Sequence, residues 1–183
     1  MNSKKASGIV LITLLFIGGI AGGYIYFSTL FPKEKVSEEA VRSAGEQFFL
    51  RVYYPVDNQI QIEERRPPRT AGLLAVAEAT MEEYLKGPSG GKTTSLPKNA
   101  RLLGVYKGAD RILYIDLSGE FRRNFQGDAF AEFLLLKSLY ESLISNVEDI
   151  QDVKVLIDGK EAETLGGHLY LLYPLKDIVT YGY

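Results

Sequence analysis

The chain of 183 residues carries 21 lysines and arginines against 23 aspartates and glutamates, for a net charge of −2, with 46% hydrophobic and 24% charged residues. That balance belongs to a folded globular protein rather than a disordered one, and the interspersed charges offer no basic field for nucleic acid or anionic lipid. Cysteine is absent, which excludes disulfides, thiol nucleophiles and thiolate metal sites and leaves the compartment to be argued from the N-terminus.

Residues 1–7 form a short tail with Lys4 and Lys5, and no charge then occurs from Gly8 to Phe31, a run of 24 residues. About 20 apolar residues cross a bilayer core of about 30 Å, so residues 8–31 are expected to form one transmembrane helix. The positive-inside rule nearly ties, because Lys33 and Lys35 follow the run. Orientation therefore rests on the layout of a short tail before a long folded domain, that of a signal anchor with the domain exported. A cleaved signal peptide is the competing reading, since Gly19 and Ala21 are spaced for cleavage, but the apolar run continues ten residues past Ala21. Gly18/Gly22 and Gly19/Gly23 have the G-x-x-x-G spacing at which two membrane helices pair, although glycine is also common in membrane helices generally. Residues 32–46 are charged and poor in apolar side chains, a juxtamembrane tether.

From residue 47 to 183 one domain is expected. Phe48 to Tyr54 reads as a strand stopped by Pro55, with Asp57-Asn58 as a turn and Gln59 to Arg66 as a second strand ended by Pro67-Pro68. Leu73, Ala77, Met81, Tyr84 and Leu85 recur at helical spacing within Thr70 to Lys86, with Glu78, Glu82, Glu83 and Lys86 largely opposite, and Gly87-Pro88 ends this helix. Ser89 to Asn99 is an exposed loop. Arg101 to Tyr106 and Arg111 to Leu117 form a second hairpin across Lys107 to Asp110. Gly119 to Gly127 is polar, and Asp128 caps a broadly apolar helix from Ala129 to Ser145. Val153 to Ile157 is a buried strand ended by Asp158-Gly159, and Leu169 to Tyr173 a last strand stopped by Pro174. The order β-β-α-β-β-α-β-β specifies an α+β fold, a two-layer sandwich.

The chemistry-bearing motifs are weak. Lys86 to Thr93 ends in the Gly-Lys-Thr of a P-loop, but position 86 is lysine where the first glycine is required, and the segment follows a helix instead of a strand. His168 is the only histidine, which disfavours a triad or a histidine metal site and suits a turn or strand-edge side chain bonded to backbone. Asp116 and Glu120 stand four residues apart at a strand end, and they read as turn and cap residues. Arg65, Arg66 and Arg69 read as a solvated basic turn, with contact to an acidic partner as the alternative. No cofactor and no metal are expected.

Four segments together carry a family likeness: YLKGP at 84–88, SLPKNARLL at 95–103, YIDLSGEF at 114–121 and VLIDGKEAETLGGH at 155–168. In this order and spacing the chain resembles the GerMN domain, a module named after a sporulation and spore-germination protein, over about Phe48 to Leu175. The resemblance implies a bacterial envelope protein, with an α/β domain similar to the ring-building modules of sporulation and secretion assemblies. This chain departs from the namesake in carrying one copy of the domain and a helix in place of a lipid anchor.

The expected function is a non-enzymatic interaction or scaffold module at the outer surface of the cytoplasmic membrane, linked to sporulation or germination, with an envelope protein or peptidoglycan as partner. Under it Asp116, Leu117, Glu120, Phe121, Gly159 and Gly166 to His168 set turns and packing. The alternative is a cell-wall hydrolase with Asp116 and Glu120 as paired carboxylates. An enzyme needs convergent carboxylates in a cleft.

Overall fold

The computed structural model describes Tyr26 and residues 48–181. The expected tail, tether and pairing glycines lie outside the described residues, as does the membrane helix apart from Tyr26. Among the described residues no helix is long and apolar enough to cross a membrane.

Strands β1 (Leu50–Val56) and β2 (Gln59–Arg65) pair antiparallel as a two-stranded sheet. Their turn residues Asp57 and Asn58 have φ of 49° and 59°, the doubly positive turn that suits the twist of a two-residue hairpin. Pro55 does not stop β1 as expected. Val56–Gln59 closes the hairpin, so Pro55 occupies a position whose backbone nitrogen faces away from β2, and its missing N–H costs no ladder bond. The N–H groups of Arg51 and Tyr53 face the same way, and they donate to Asn146 Oδ1 at 3.0 Å and Ser142 Oγ at 2.9 Å.

Helix α1 (Leu73–Leu85) follows, then a short 3-10 turn at Ser89–Gly91. The four-stranded sheet has the order β3-β4-β5-β6, from β3 (Leu102–Lys107), β4 (Ile112–Leu117), β5 (Asp152–Ile157) and β6 (Lys160–Glu161). β4 and β5 are parallel while the outer pairs are antiparallel. A parallel pair needs a crossover, supplied by α2 (Glu120–Arg123) and the long helix α3 (Ala129–Ile144). Val105, Leu113, Ile115, Leu117, Val153 and Val155 bury one face of this sheet. Alternation puts Tyr106, Tyr114 and Lys154 in a row on the other.

Helix α1 packs on β3, α3 and β1, and α3 packs on β1, α1, β5 and α4 (Leu175–Tyr181). Tyr84 links α1 to α3 by donating toward the Leu135 carbonyl at 3.1 Å and meeting Ser138 Oγ at 2.8 Å. It also stacks on Tyr54 with centroids 5.8 Å apart. Glu83, expected on the solvent side of α1, is nearly buried and paired with Lys86 at 2.5 Å.

The C-terminal segment departs from expectation. Leu169 to Tyr173 is not a strand, and the partner of β5 is the two-residue β6, after which α4 closes the domain. Apolar Leu169 and Leu171 alternate with Tyr170 as in a strand, but backbone groups here are taken individually. Leu171 N–H donates to the Glu163 carbonyl at 2.8 Å, and the Leu172 carbonyl accepts from Lys154 Nζ at 3.0 Å.

Removing the side chains that cover β1 tests the packing. In a Ser142→Ala, Asn146→Ala double variant the amides of Arg51 and Tyr53 should exchange with solvent at least about fivefold faster, from the loss of bonds worth about 1 kcal/mol each. Hydrogen exchange read residue by residue measures this, and unchanged rates at both amides would contradict it.

Candidate functional site

The segments 114–121 and 155–168 meet at the C-terminal ends of the parallel strands β4 and β5, and Arg101 of the 95–103 segment donates its N–H to Ser118 Oγ at 3.1 Å. Here two loops hold one another by reciprocal bonds. Gly159 N–H donates to Asp116 Oδ1 at 2.8 Å, and Gly119 N–H donates to Asp158 Oδ1 at 2.9 Å. A Cβ at Gly119 would fall 2.5 Å from Asp158 Oδ2, so the loops can approach this closely only without a side chain at that position.

A third carboxylate holds the next loop. Glu132 on α3 has no exposed surface. Its Oε1 accepts from Leu165 N–H at 3.1 Å and Gly166 N–H at 2.9 Å, and its Oε2 accepts from His168 N–H at 3.1 Å and meets His168 Nδ1 at 2.9 Å. Gly166 is packed so close that a Cβ would sit 2.5 Å from Phe125 Cε1. The lone histidine therefore lies in a turn-rich segment, but its ring bonds to a buried carboxylate where a backbone partner was expected. Sequence reasoning missed Glu132. Its signal was helical phase: position 132 precedes Leu135, Leu136, Leu139 and Leu143 by three, four, seven and eleven residues, which extends the buried stripe by one turn.

Asp116 and Glu120 have separate partners. Asp116 is nearly buried on the Gly159 loop, and Glu120 opens α2 and pairs with Arg123. Bonds from the Ser118 hydroxyl, its own backbone N–H and Arg123 hold the Glu120 carboxyl down to about 2. A general acid needs the opposite displacement, toward neutral pH. Beside these residues lies an open groove of ≈ 600 Å³ lined by Gly119, Arg122, Arg123, Asp158, Lys160 and Glu161 among others. Among the described residues no three His, Asp or Glu side chains are placed to hold a metal ion together.

The P-loop-like segment closes on the chain itself. Ser89 N–H lies 3.1 Å from both Glu63 oxygens, and Lys92 Nζ is 3.4 Å from Glu63 Oε1. Donors that a P-loop directs at phosphate are thus taken by an internal carboxylate. Burial pushes the Glu63 carboxyl up, but the Ser89, Arg65 and Lys92 contacts outweigh it and hold it below its ordinary value. The expected arginine cluster also separates. Arg65 turns inward over the Tyr54 ring, 5.3 Å from its centroid, and donates to Glu63 and the Gly87 carbonyl, while Arg66 and Arg69 stay exposed.

An α+β domain whose loops are tied together by the carboxylates of its own motifs defines a GerMN-type module. The chain belongs to the Germane family, described as sporulation and spore germination, whose model matches residues 51–163. Solved structures share the fold. The first GerMN domain of the sporulation protein GerM from Bacillus subtilis is 20% identical with a TM-score of 0.54, covering 69% of this chain and 94% of that one. The tandem GerMN domains of the same protein match at 20% and 0.54 over 72% of this chain and 48% of theirs. A Clostridium perfringens protein named as a candidate lipoprotein is 22% identical with a TM-score of 0.52, covering 71% of this chain and 89% of that one. No curated protein matches the chain.

Two stability measurements check these bonds. Glu132→Ala strands three backbone donors in a buried place and should cost about 3–5 kcal/mol in urea unfolding, whereas Glu132→Gln, which keeps one acceptor oxygen, should cost less. For Glu63 the folded value is depressed, so its contribution is full above its ordinary value of 4.5 and is lost as pH falls through the lower folded value. Unfolding midpoints compared at pH 6 and pH 3 should therefore fall less in Glu63→Gln than in the parent chain.

Proposed function

We propose that this chain is a non-enzymatic interaction module of the bacterial cell envelope, linked to sporulation or germination. Residues 8–31 hold it as a single-pass helix in the cytoplasmic membrane, with 1–7 inside and the domain from residue 47 outside. The observation that carries this reading is the use of two motif carboxylates and of one on α3. Asp116, Asp158 and Glu132 each accept backbone N–H groups of a neighbouring loop, which is the chemistry of a rigid scaffold. Family membership supports an envelope setting, as do its structural neighbours, a sporulation protein and a candidate lipoprotein. The partner is an envelope protein or peptidoglycan. Tethering to a membrane makes weak contacts sufficient, because association becomes effectively intramolecular at up to about millimolar concentration. Gly18, Gly19, Gly22 and Gly23 add a route to pairing of the anchor helices.

Two experiments test this. A periplasm-active reporter fused after Tyr183 should give signal and a cytoplasm-only reporter should not, and the reverse pattern would overturn the orientation. Crosslinking in intact cells should capture neighbours with the full chain and lose most of them when residues 1–46 are deleted. Gly18→Leu with Gly22→Leu should remove only contacts between copies of the chain. Equal capture by all three, or capture by none, would refute tethered partner binding.

A further inference from the structure

We infer that the groove between the β1–β2 turn, residues 93–95 and the first turns of α3 binds an N-acetylated glycan, the chemistry of the peptidoglycan strand. The inference rests on the envelope reading above and assigns it a ligand.

The groove measures ≈ 530 Å³, inside the range of about 300–1,000 Å³ common to small-ligand sites. Its polar lining is Asp57, Asn58, Thr93, Ser95 and Gln126. None of these five side chains hydrogen-bonds to another described residue, and of the hydroxyls lining the groove only that of Thr94 is engaged, accepting from Leu96 N–H at 3.2 Å. The contrast with the β4–β5 end of the domain is direct, because there Asp116, Asp158, Glu120 and Arg123 are all bonded within the chain. Here two hydroxyls, two carboxamides and one carboxylate face solvent without a partner.

The mixture selects the ligand class. Neutral hydroxyls and amides with one carboxylate and no cation suit neither a nucleotide nor an acidic peptide, both of which need positive charge. They suit sugar hydroxyls, which donate to Asp57 and exchange bonds with Thr93 and Ser95. Asn58 and Gln126 can each donate to and accept from an acetamido group. Pro55, Ala131 and Leu134 complete the lining with an apolar surface for the C–H face of a sugar ring and the acetyl methyl.

Its walls are also fixed in advance. Asp57 and Asn58 occupy a tight turn, and an isolated bridge pairs Val56 with Thr94, so that two walls are held together. A groove ordered before binding loses little entropy on binding. A second groove of ≈ 470 Å³ shares Thr93 and Thr94 and is lined by Lys86, Lys92 and Lys98 among others. Lys86 and Lys92 are engaged by Glu83 and Glu63, so a glycan carrying carboxylates along its length, as the wall strand does, would meet neutral groups at its sugar rings and the exposed Lys98 beside them.

The test uses the full chain purified in detergent, with co-sedimentation on peptidoglycan sacculi. Sacculi should retain it, tetra-N-acetylchitotetraose should compete, and cellotetraose, which lacks the acetamido group, should not. Asn58→Gly, which keeps the left-handed backbone of the turn, combined with Gln126→Ala should weaken retention about tenfold, the loss of roughly two hydrogen bonds, with an unchanged unfolding temperature. Arg69→Ala, on an exposed residue outside the groove, should bind as the parent does. No retention, equal competition by both oligosaccharides, or unchanged retention of the double variant overturns the glycan assignment. Crosslinking in cells separates this failure from the broader one: if sacculi are not bound while protein neighbours are still captured, the glycan site falls and the interaction module stands.

Discussion

Helix α3 lies against β1, β5, α1 and α4 at once, and the polar groups it carries into that apolar surrounding decide the course of the chain around it. A helix buried on most of its circumference usually presents leucines, as Leu135, Leu136, Leu139 and Leu143 do here. Glu132, Ser138, Ser142 and Asn146, the last just beyond its end, are the exceptions, and each would be costly without a partner. Glu132 receives the 165–168 loop, Ser138 receives Tyr84 from α1, and Ser142 with Asn146 receives the outer edge of β1. Three separate elements are thereby placed by one helix.

The complete burial of Glu132 makes this arrangement strict. A buried carboxyl needs partners on both oxygens, and here three backbone N–H groups donate to it and the His168 ring meets it at Nδ1. Glu63 repeats the device on β2, where the Gly-rich 87–92 segment turns its donors onto that side chain. In both places a loop that looks equipped to bind an external anion is closed on an internal one. This accounts for a glycine-rich loop and a histidine that resemble functional motifs and serve the framework.

Bonds from Ser118, its own backbone N–H and Arg123 favour the charged form of the Glu120 carboxyl, and the loops that carry Asp116 and Asp158 are tied to one another. Unengaged polar side chains gather instead at the rim formed by the first hairpin and residues 93–95. The ends of the parallel strands β4 and β5 are taken up by reciprocal loop bonds, whereas the hairpin turn faces the first turns of α3 across an open groove.

The elements themselves were legible from local chemistry. Alternation at Ile60 and Ile62, the helical spacing of Leu73 through Leu85, Asp128 as a cap and Asp158-Gly159 as a stop each act within a few residues, so strands β1 to β5 and helices α1 and α3 could be read directly. The α+β class and the GerMN likeness followed from their order and from four separate motifs. What the linear chain could not disclose was which partner each polar group would find. Leu169 to Tyr173 has the alternation of a strand, but Glu132, more than 30 residues earlier, pins 165–168 to α3, and the backbone groups of Leu171 and Leu172 go to Glu163 and to the Lys154 side chain where a strand would pair. Pro55 stays within β1 because hairpin register turns its nitrogen outward, and Arg65 leaves a polar cluster because Tyr54 and the Gly87 carbonyl receive it. Secondary structure answers to periodicity and capping along the chain, whereas the burial of a carboxylate or the coverage of a strand edge depends on groups brought together only by folding.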